Sequence, residues 1–600
     1  MTLEDKAGKA RQGTRLAWAL LSAILLLPVA AFAQEPTVVT TTGTFTAVAS
    51  LIDPGAVDVF YGIRYAAAPE GALRWAPPQA PVPPAGTVVA ATPGNFCPQG
   101  SGAQSEDCLF LNVYIPAGAR PNSRLPVFFW IHGGSLTSGA GAEYDASDMV
   151  ARSDIIVVTI NYRLGALGWL VEPGLTATAA NTFQSVGDAG NYGLMDQQFA
   201  LQWVQANIAA FGGDPGKVTI AGESAGGLSV SSNLASTITA PGLFRSAIIE
   251  SGAYMLHDVP SQQEYQASFG SAFDQALGCT QPADAACLRS QSVANILSAQ
   301  NVFGANGISP DWGTRILPQG LHAAFSTGAF NQVPVLQGSN ANEGRLFEPG
   351  MIPLAASLAT VAAAGGPANY DLFNANSFCA TPEGTGTPAT CTYPQLIGLF
   401  LAELSSSPSV NSAAIDDALA DVYPLANFPD PYLPGNAPSA DEGLAQIFTD
   451  VAFSCNTYDS DTDLARWVPL YAYEFNDPLA PPLGSALVPP NDQYGFPSAS
   501  EHASELQFLF AFGSPLNIGE QHLSAEMQTY WANFTISNNP NVGTPPIFFA
   551  PWTPFNFIHA IQGLVPAPAV PQPFFTFQAE HFCSIWEPII SAEWAVAPAP

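Results

Sequence analysis

The chain has 600 residues, 48% of them hydrophobic and only 11% charged; 48 Asp+Glu stand against 16 Lys+Arg, for a formal net charge of −32 at pH 7. That apolar content is ample for a large core, and so negative a chain argues against nucleic acid or an anionic membrane surface as partner. Glycine and proline number 52 and 54, so loops are long and plentiful.

The first segment in chain order reads as a targeting signal. Lys6, Lys9, Arg11 and Arg15 form a basic region, an apolar run starts at Leu16, and Ala31-Phe32-Ala33 is a small-x-small cleavage site. The run is short for a membrane span. Residues 1–33 are therefore expected to be a cleaved signal peptide and 34–600 a single domain, secreted or periplasmic, with no stable membrane insertion after cleavage. Eight cysteines fit that route, because an even count in an oxidising compartment reads as disulfides. Cys97 and Cys108, Cys279 and Cys287, and Cys379 and Cys391 are close in sequence, which leaves Cys455 and Cys583 to each other. No Cys or His cluster has the spacing of a zinc site, so no metal is expected.

The runs 125–134 and 154–163 are apolar throughout, as strands buried on both faces should be. Mostly helical spacing predicts a helix over 193–213, stopped by two glycines. Strands follow at 217–223 and 243–252, and later at 333–338 and 469–476. The intervals 255–330 and 350–450 read as helical and loop-rich, and 374–392 as a surface excursion stapled by Cys379 and Cys391. The fold class is α/β: a large, mostly parallel central sheet with helices on both faces and long loop and helical insertions.

The stretch VTIAGESAGG, residues 218–227, runs from a strand straight into a serine with Gly222 and Gly226 two places to either side. G-x-S-x-G alone is a weak signal. The strand before it and the small residues after it make it a nucleophile elbow that presents Ser224. A serine hydroxyl needs a base and a group that orients the base. In this architecture the acid comes next in the chain and the histidine last. His502, His522, His559 and His581 leave room for an acid upstream. His502 lies in a loop between a strand and the run LQFLFAF, whereas His581, two residues from Cys583, reads as structural. Glu343 directly follows a strand, but spacing alone does not separate it from an ordinary solvated loop glutamate. Backbone N–H groups near Gly133, Gly134 and Ser135, with that of Ala225, are candidate donors to an oxyanion.

Longer stretches carry a resemblance. FYGIRYAAAPEGALRWAPP (60–78), SEDCLFLNVYIP (105–116), WIHGGSLTSG, NYRLGALGWL, GNYGLMDQ, FGGDPGKVTIAGESAGG, GSNANEG, EHASEL and HFCSIW spread from near residue 60 to near 586. Together they resemble the type-B carboxylesterase/lipase family, the esterase–cholinesterase branch of the α/β-hydrolase fold. The resemblance implies Ser224 as nucleophile, Glu343 as triad acid and His502 as base, with oxyanion donors at Gly134, Ser135 and Ala225. It also implies Cys97–Cys108, Cys279–Cys287 and Cys455–Cys583 as bonds, and Arg74 paired with Glu106; Cys379–Cys391 has no counterpart in it.

Two departures bear on substrate. Ser135 replaces the third glycine of the usual run, which keeps the N–H but sets a side chain by the acyl pocket. The resemblance places a choline-binding aromatic and a lid between Cys97 and Cys108, where this chain has ten residues and no tryptophan. The expectation is a secreted serine hydrolase that cleaves small-molecule esters of short to medium acyl length through an acyl-enzyme, without a cofactor. The alternatives are a catalytically silent, cholinesterase-like adhesion or binding protein, and a lipase acting on long-chain substrates.

Overall fold

The computed structural model describes residues 35–100, 104–267, 271–279, 284–303, 307–351, 397, 413–428, 440–481, 500–542, 551–566, 570–572 and 574–586. The expected signal peptide, Cys379 and Cys391 lie outside the described residues. The chain divides into Met1–Pro36 and Thr37–Pro600, and the second unit is described by itself.

The described strands are, in chain order, β1 (Thr37–Thr40), β2 (Gly43–Thr46), β3 (Val48–Ala49), β4 (Val57–Arg64), β5 (Thr87–Val89), β6 (Phe110–Pro116) and β7 (Leu125–Ile131). They continue with β8 (Ile156–Ile160), β9 (Gly213–Glu223), β10 (Ser246–Glu250), β11 (Val335–Asn340), β12 (Leu470–Phe475), β13 (Ile561–Leu564) and β14 (Val570–Gln572). β1, β2 and β5 make a small sheet, and the rest one large sheet in the order β14-β13-β12-β11-β10-β9-β7-β8-β6-β4-β3. From β8 through β7, β9, β10, β11 and β12 to β13 every pairing is parallel; the edges are antiparallel.

β7 shows why its sequence is apolar at every step. Val127, Phe129 and Ile131 pack into one core with Ile156, Val158, Val218 and Ile220. Phe128 and Trp130 point to the other face, among Val157, Ala221 and Ile248. With both faces covered, alternation between apolar and polar disappears.

The helix predicted over 193–213 is shorter. It spans Tyr192–Asn207, then tightens into a turn over Ile208–Phe211 that stops at Gly212, φ 94°. Ile208 and Phe211 stay buried, so the apolar pattern outlasts the helix. The next residue, Gly213, already pairs with Leu125 in the sheet.

Disulfides join Cys97 to Cys108, Cys279 to Cys287 and Cys455 to Cys583. Arg74 Nε donates to Glu106 Oε1 at 2.7 Å. Among the described residues no helix is long and apolar enough to cross a membrane.

Beside the Cys455–Cys583 bond, His581 clamps the C-terminal segment. Its Nδ1 is 2.6 Å from Asp450 Oδ1 and its Nε2 2.7 Å from Glu474 Oε1. Burial opposes the charged ring, but the two carboxylates outweigh it and push the pKa up to about 10. The folded value lies above the usual histidine value of about 6.5. The clamp's stabilisation is therefore complete below that pH and lost as pH rises through about 10. Melting curves of wild type and His581→Gln are expected to converge as pH rises across that window. A wild-type advantage that grows with pH would contradict the charged clamp.

Candidate active site

β9 delivers Ser224 into a turn with no spare room. Ser224 sits at φ 55°, ψ −124°, outside the ordinary L-residue regions. Its N–H donates to Glu250 O at 2.9 Å, and its carbonyl accepts from Leu228 N at 2.9 Å as the helix Ala225–Ala235 begins. A Cβ on Gly226 would lie 2.0 Å from Ile131 O, and one on Gly222 would lie 2.6 Å from Gly226 C. The elbow can pass between β7 and its own helix only because both positions are glycine. The geometry thus agrees with the motif's physical logic.

Glu343 and His502 meet. Glu343 follows β11, and Asn340 N donates back to its Oε1 at 2.7 Å, closing the turn. His502 Nδ1 lies 2.6 Å from Glu343 Oε2. Phe347 and Phe453 flank the imidazole with centroids 4.7 and 5.0 Å away, so packing fixes the ring plane as well. Of the four candidate imidazoles, only His502 contacts Glu343. His522 is exposed on the helix Ile518–Ser537, and His559 Nδ1 faces Tyr458 OH at 3.1 Å.

Among the described residues His502 Nε2 has no hydrogen-bond partner, Ser224 included. It lies 3.1 Å from Glu223 Oε1, a close approach that lacks hydrogen-bond geometry. Catalytic hydrogen bonds often tighten only when substrate is present.

Several neighbours were not legible in the sequence. Ser251, at φ 48° directly after β10, donates its hydroxyl to Glu343 Oε1 at 2.5 Å. Glu223, Glu250 and Glu505 are buried around the same site. Burial first, then the repulsion of neighbouring glutamates, Glu343 among them, raises Glu223 and Glu250 well above the usual carboxylate value and Glu505 to about 8. Burial thus favours the neutral form of each of these carboxyls, and Glu505, at about 8, holds its proton at neutral pH. Trp531 Nε1 donates to Glu250 Oε1 at 2.8 Å, and Asn340 Nδ2 to Glu505 Oε2 at 2.5 Å.

The loop after β7 supplies main-chain donors. Gly134, Ser135 and Leu136 have φ of 94°, 53° and 58°, a left-handed run that turns the backbone sharply. Gly133 packs against the elbow: a Cβ there would be 3.0 Å from Ser224 Cβ. Among the described residues, the N–H groups of Gly134, Ser135 and Ala225 donate to nothing. Unpaired N–H groups gathered near a serine can receive a developing oxyanion. His132, beneath this loop, stacks on Tyr162 at 4.5 Å and is driven down to a pKa of about 4 by burial. It therefore stays neutral.

The profile of the carboxylesterase family matches residues 34–560. An acylcarnitine hydrolase of Mus musculus is 32% identical over 513 residues, 81% of this chain and 80% of that protein. A medium-chain fatty acyl-CoA hydrolase precursor of Anas platyrhynchos is 32% identical over 559 residues, 87% of this chain and 89% of the other. A solved PNB esterase superposes with a TM-score of 0.66 at 27% identity, covering 91% of this chain and 100% of that one. The large mixed sheet with its helices is thus the α/β-hydrolase fold.

Proposed function

The chain belongs to the carboxylesterase family and is a carboxylic-ester hydrolase; from that premise we propose an exported serine esterase, catalytic over a single domain 34–600, that uses Ser224, His502 and Glu343 on short to medium acyl esters. Ser224 Oγ attacks the ester carbonyl while His502 Nε2 takes its proton. Glu343 holds the ring through Nδ1 and stabilises its charged form. The N–H groups of Gly134, Ser135 and Ala225 receive the oxyanion. Collapse expels the alcohol, protonated by His502, and leaves an acyl-enzyme. Water, activated by the same ring, then releases the acid and frees Ser224.

One observation carries this reading: a strained serine packed against a loop with unspent N–H groups, next to a histidine already held by a glutamate. A catalytically silent binding protein has no use for that arrangement. Support for the acyl preference is more local. Only ten residues separate Cys97 from Cys108, and Ser135 places a hydroxymethyl group where the family has glycine. The Anas relative is named for medium-chain acyl groups. Export is supported by the N-terminal sequence and the three disulfides.

The test is a series of p-nitrophenyl esters from acetate to palmitate. kcat/KM is expected to peak among the short and medium chains, with no jump at the substrate's aggregation limit. Rates that climb to palmitate and need an interface would make the protein a lipase. A serine-directed phosphonate should add to the peptide containing Ser224, and an unlabelled protein would favour the silent reading.

A further inference from the structure

Away from the ester chemistry, the loop after β10 meets two helices, Leu321–Thr327 and Cys455–Leu464, at a group of imidazoles and carboxylates. His257 comes from the loop, His322 from the first helix, and Asp459 and Asp463 from the second. The two rings are 4.3 Å apart between centroids. His257 Nε2 lies 2.8 Å from Asp459 Oδ2, and one ligand atom from each of His257, His322 and Asp459 falls within 4.8 Å of the other two. Asp463 Oδ2 is 3.5 Å from His322 Nε2 on a side chain only 4% exposed, and that oxygen accepts no hydrogen bond. Its sister Oδ1 is held by Arg466 Nη1 at 3.1 Å. A buried carboxylate oxygen without a donor is costly, and this one faces the His322 ring of the cluster.

Two imidazole nitrogens with carboxylate oxygens are the donor set of a borderline divalent ion; calcium and magnesium take oxygens alone. We infer that His257, His322 and Asp459, with Asp463 as fourth donor, form a binding site for a divalent transition-metal ion of the zinc class. Donors about 2.0–2.1 Å from a tetrahedral ion lie about 3.3 Å from one another, so His257, His322 and Asp459, within 4.8 Å of one another, reach an ion by shifts of about an ångström, and Asp463, 3.5 Å from His322 Nε2, turns in beside them. His322, 44% exposed, has the freedom to swing. The ion is a brace, because none of its four ligands touches Ser224, Glu343 or His502. It ties the loop that begins at Ser251, the hydroxyl donor to Glu343, to both helices. His322 N already donates to Leu256 O at 3.1 Å across the same junction. The ligands come from three distant segments, so a search for closely spaced ligands passes over them.

The experiment uses the whole protein, stripped with chelator and desalted. It is titrated with ZnCl2 in a calorimeter and with CoCl2 by visible absorption. The expected result is one stoichiometric equivalent, the cobalt spectrum of a four-coordinate site, and a melting temperature several degrees higher in saturating zinc. His322→Ala, a change at a half-exposed position, should weaken zinc binding by about a hundredfold or more and abolish the thermal shift. The isosteric Asp459→Asn should do the same. No stoichiometric zinc on wild type, or equal uptake by wild type and both variants, overturns the site.

Discussion

Ser224→Ala is expected to lower p-nitrophenyl ester turnover by about a million-fold, the loss seen when a triad nucleophile is removed. Stability should hardly move. Alanine inherits the same φ of 55°, so the strain at the elbow is unchanged. His502 Nε2 is already without a hydrogen-bond partner among the described residues, so removal of the Ser224 hydroxyl leaves that ring no worse paired. Melting temperature and substrate affinity should both survive while kcat collapses. Turnover within a hundredfold of wild type would transfer the nucleophile's role elsewhere.

What the sequence disclosed follows the range of the interactions concerned. β7 and β8 were legible because burial on both faces writes itself into every position of a short run. β13, four residues with Gln562 and Gly563 inside it, carries no such signature although it lies in the parallel core. The elbow was legible because its demand on Gly222 and Gly226 is local and steric. Glu343 was different: a glutamate after a strand is ordinary, and only the resemblance to a family singled it out. Ser251 could be named by neither route. It reaches Glu343 across 92 positions, and no periodicity records a contact of that range. The helix that ended at Asn207 illustrates the opposite error, since burial kept the apolar pattern going after the hydrogen-bond geometry had changed.

Glu343→Gln should cost about ten-thousand-fold in kcat with little change in folding, and the hydrogen bonds around it say why. Glu343 Oε1 receives two donors, Asn340 N at 2.7 Å and Ser251 Oγ at 2.5 Å. A glutamine must leave its carbonyl oxygen there, because an NH2 would face the Asn340 N–H. The NH2 is then turned toward His502 Nδ1, which Glu343 Oε2 now meets at 2.6 Å. To accept from it, the ring must give up the Nδ1 proton and carry one on Nε2 instead. A protonated Nε2 cannot take the proton of Ser224, and an amide does not stabilise the imidazolium. Wrong-tautomer substitutions of this kind cost a triad about 10⁴. Glu343→Ala gives the contrast: it also strands Asn340 N–H and the Ser251 hydroxyl, at about 1–3 kcal/mol for each buried group. Its melting temperature should fall where that of Glu343→Gln does not. Steady-state kinetics and thermal melts on the pair separate the two effects, and a glutamine variant within tenfold of wild-type kcat would remove Glu343 from the mechanism.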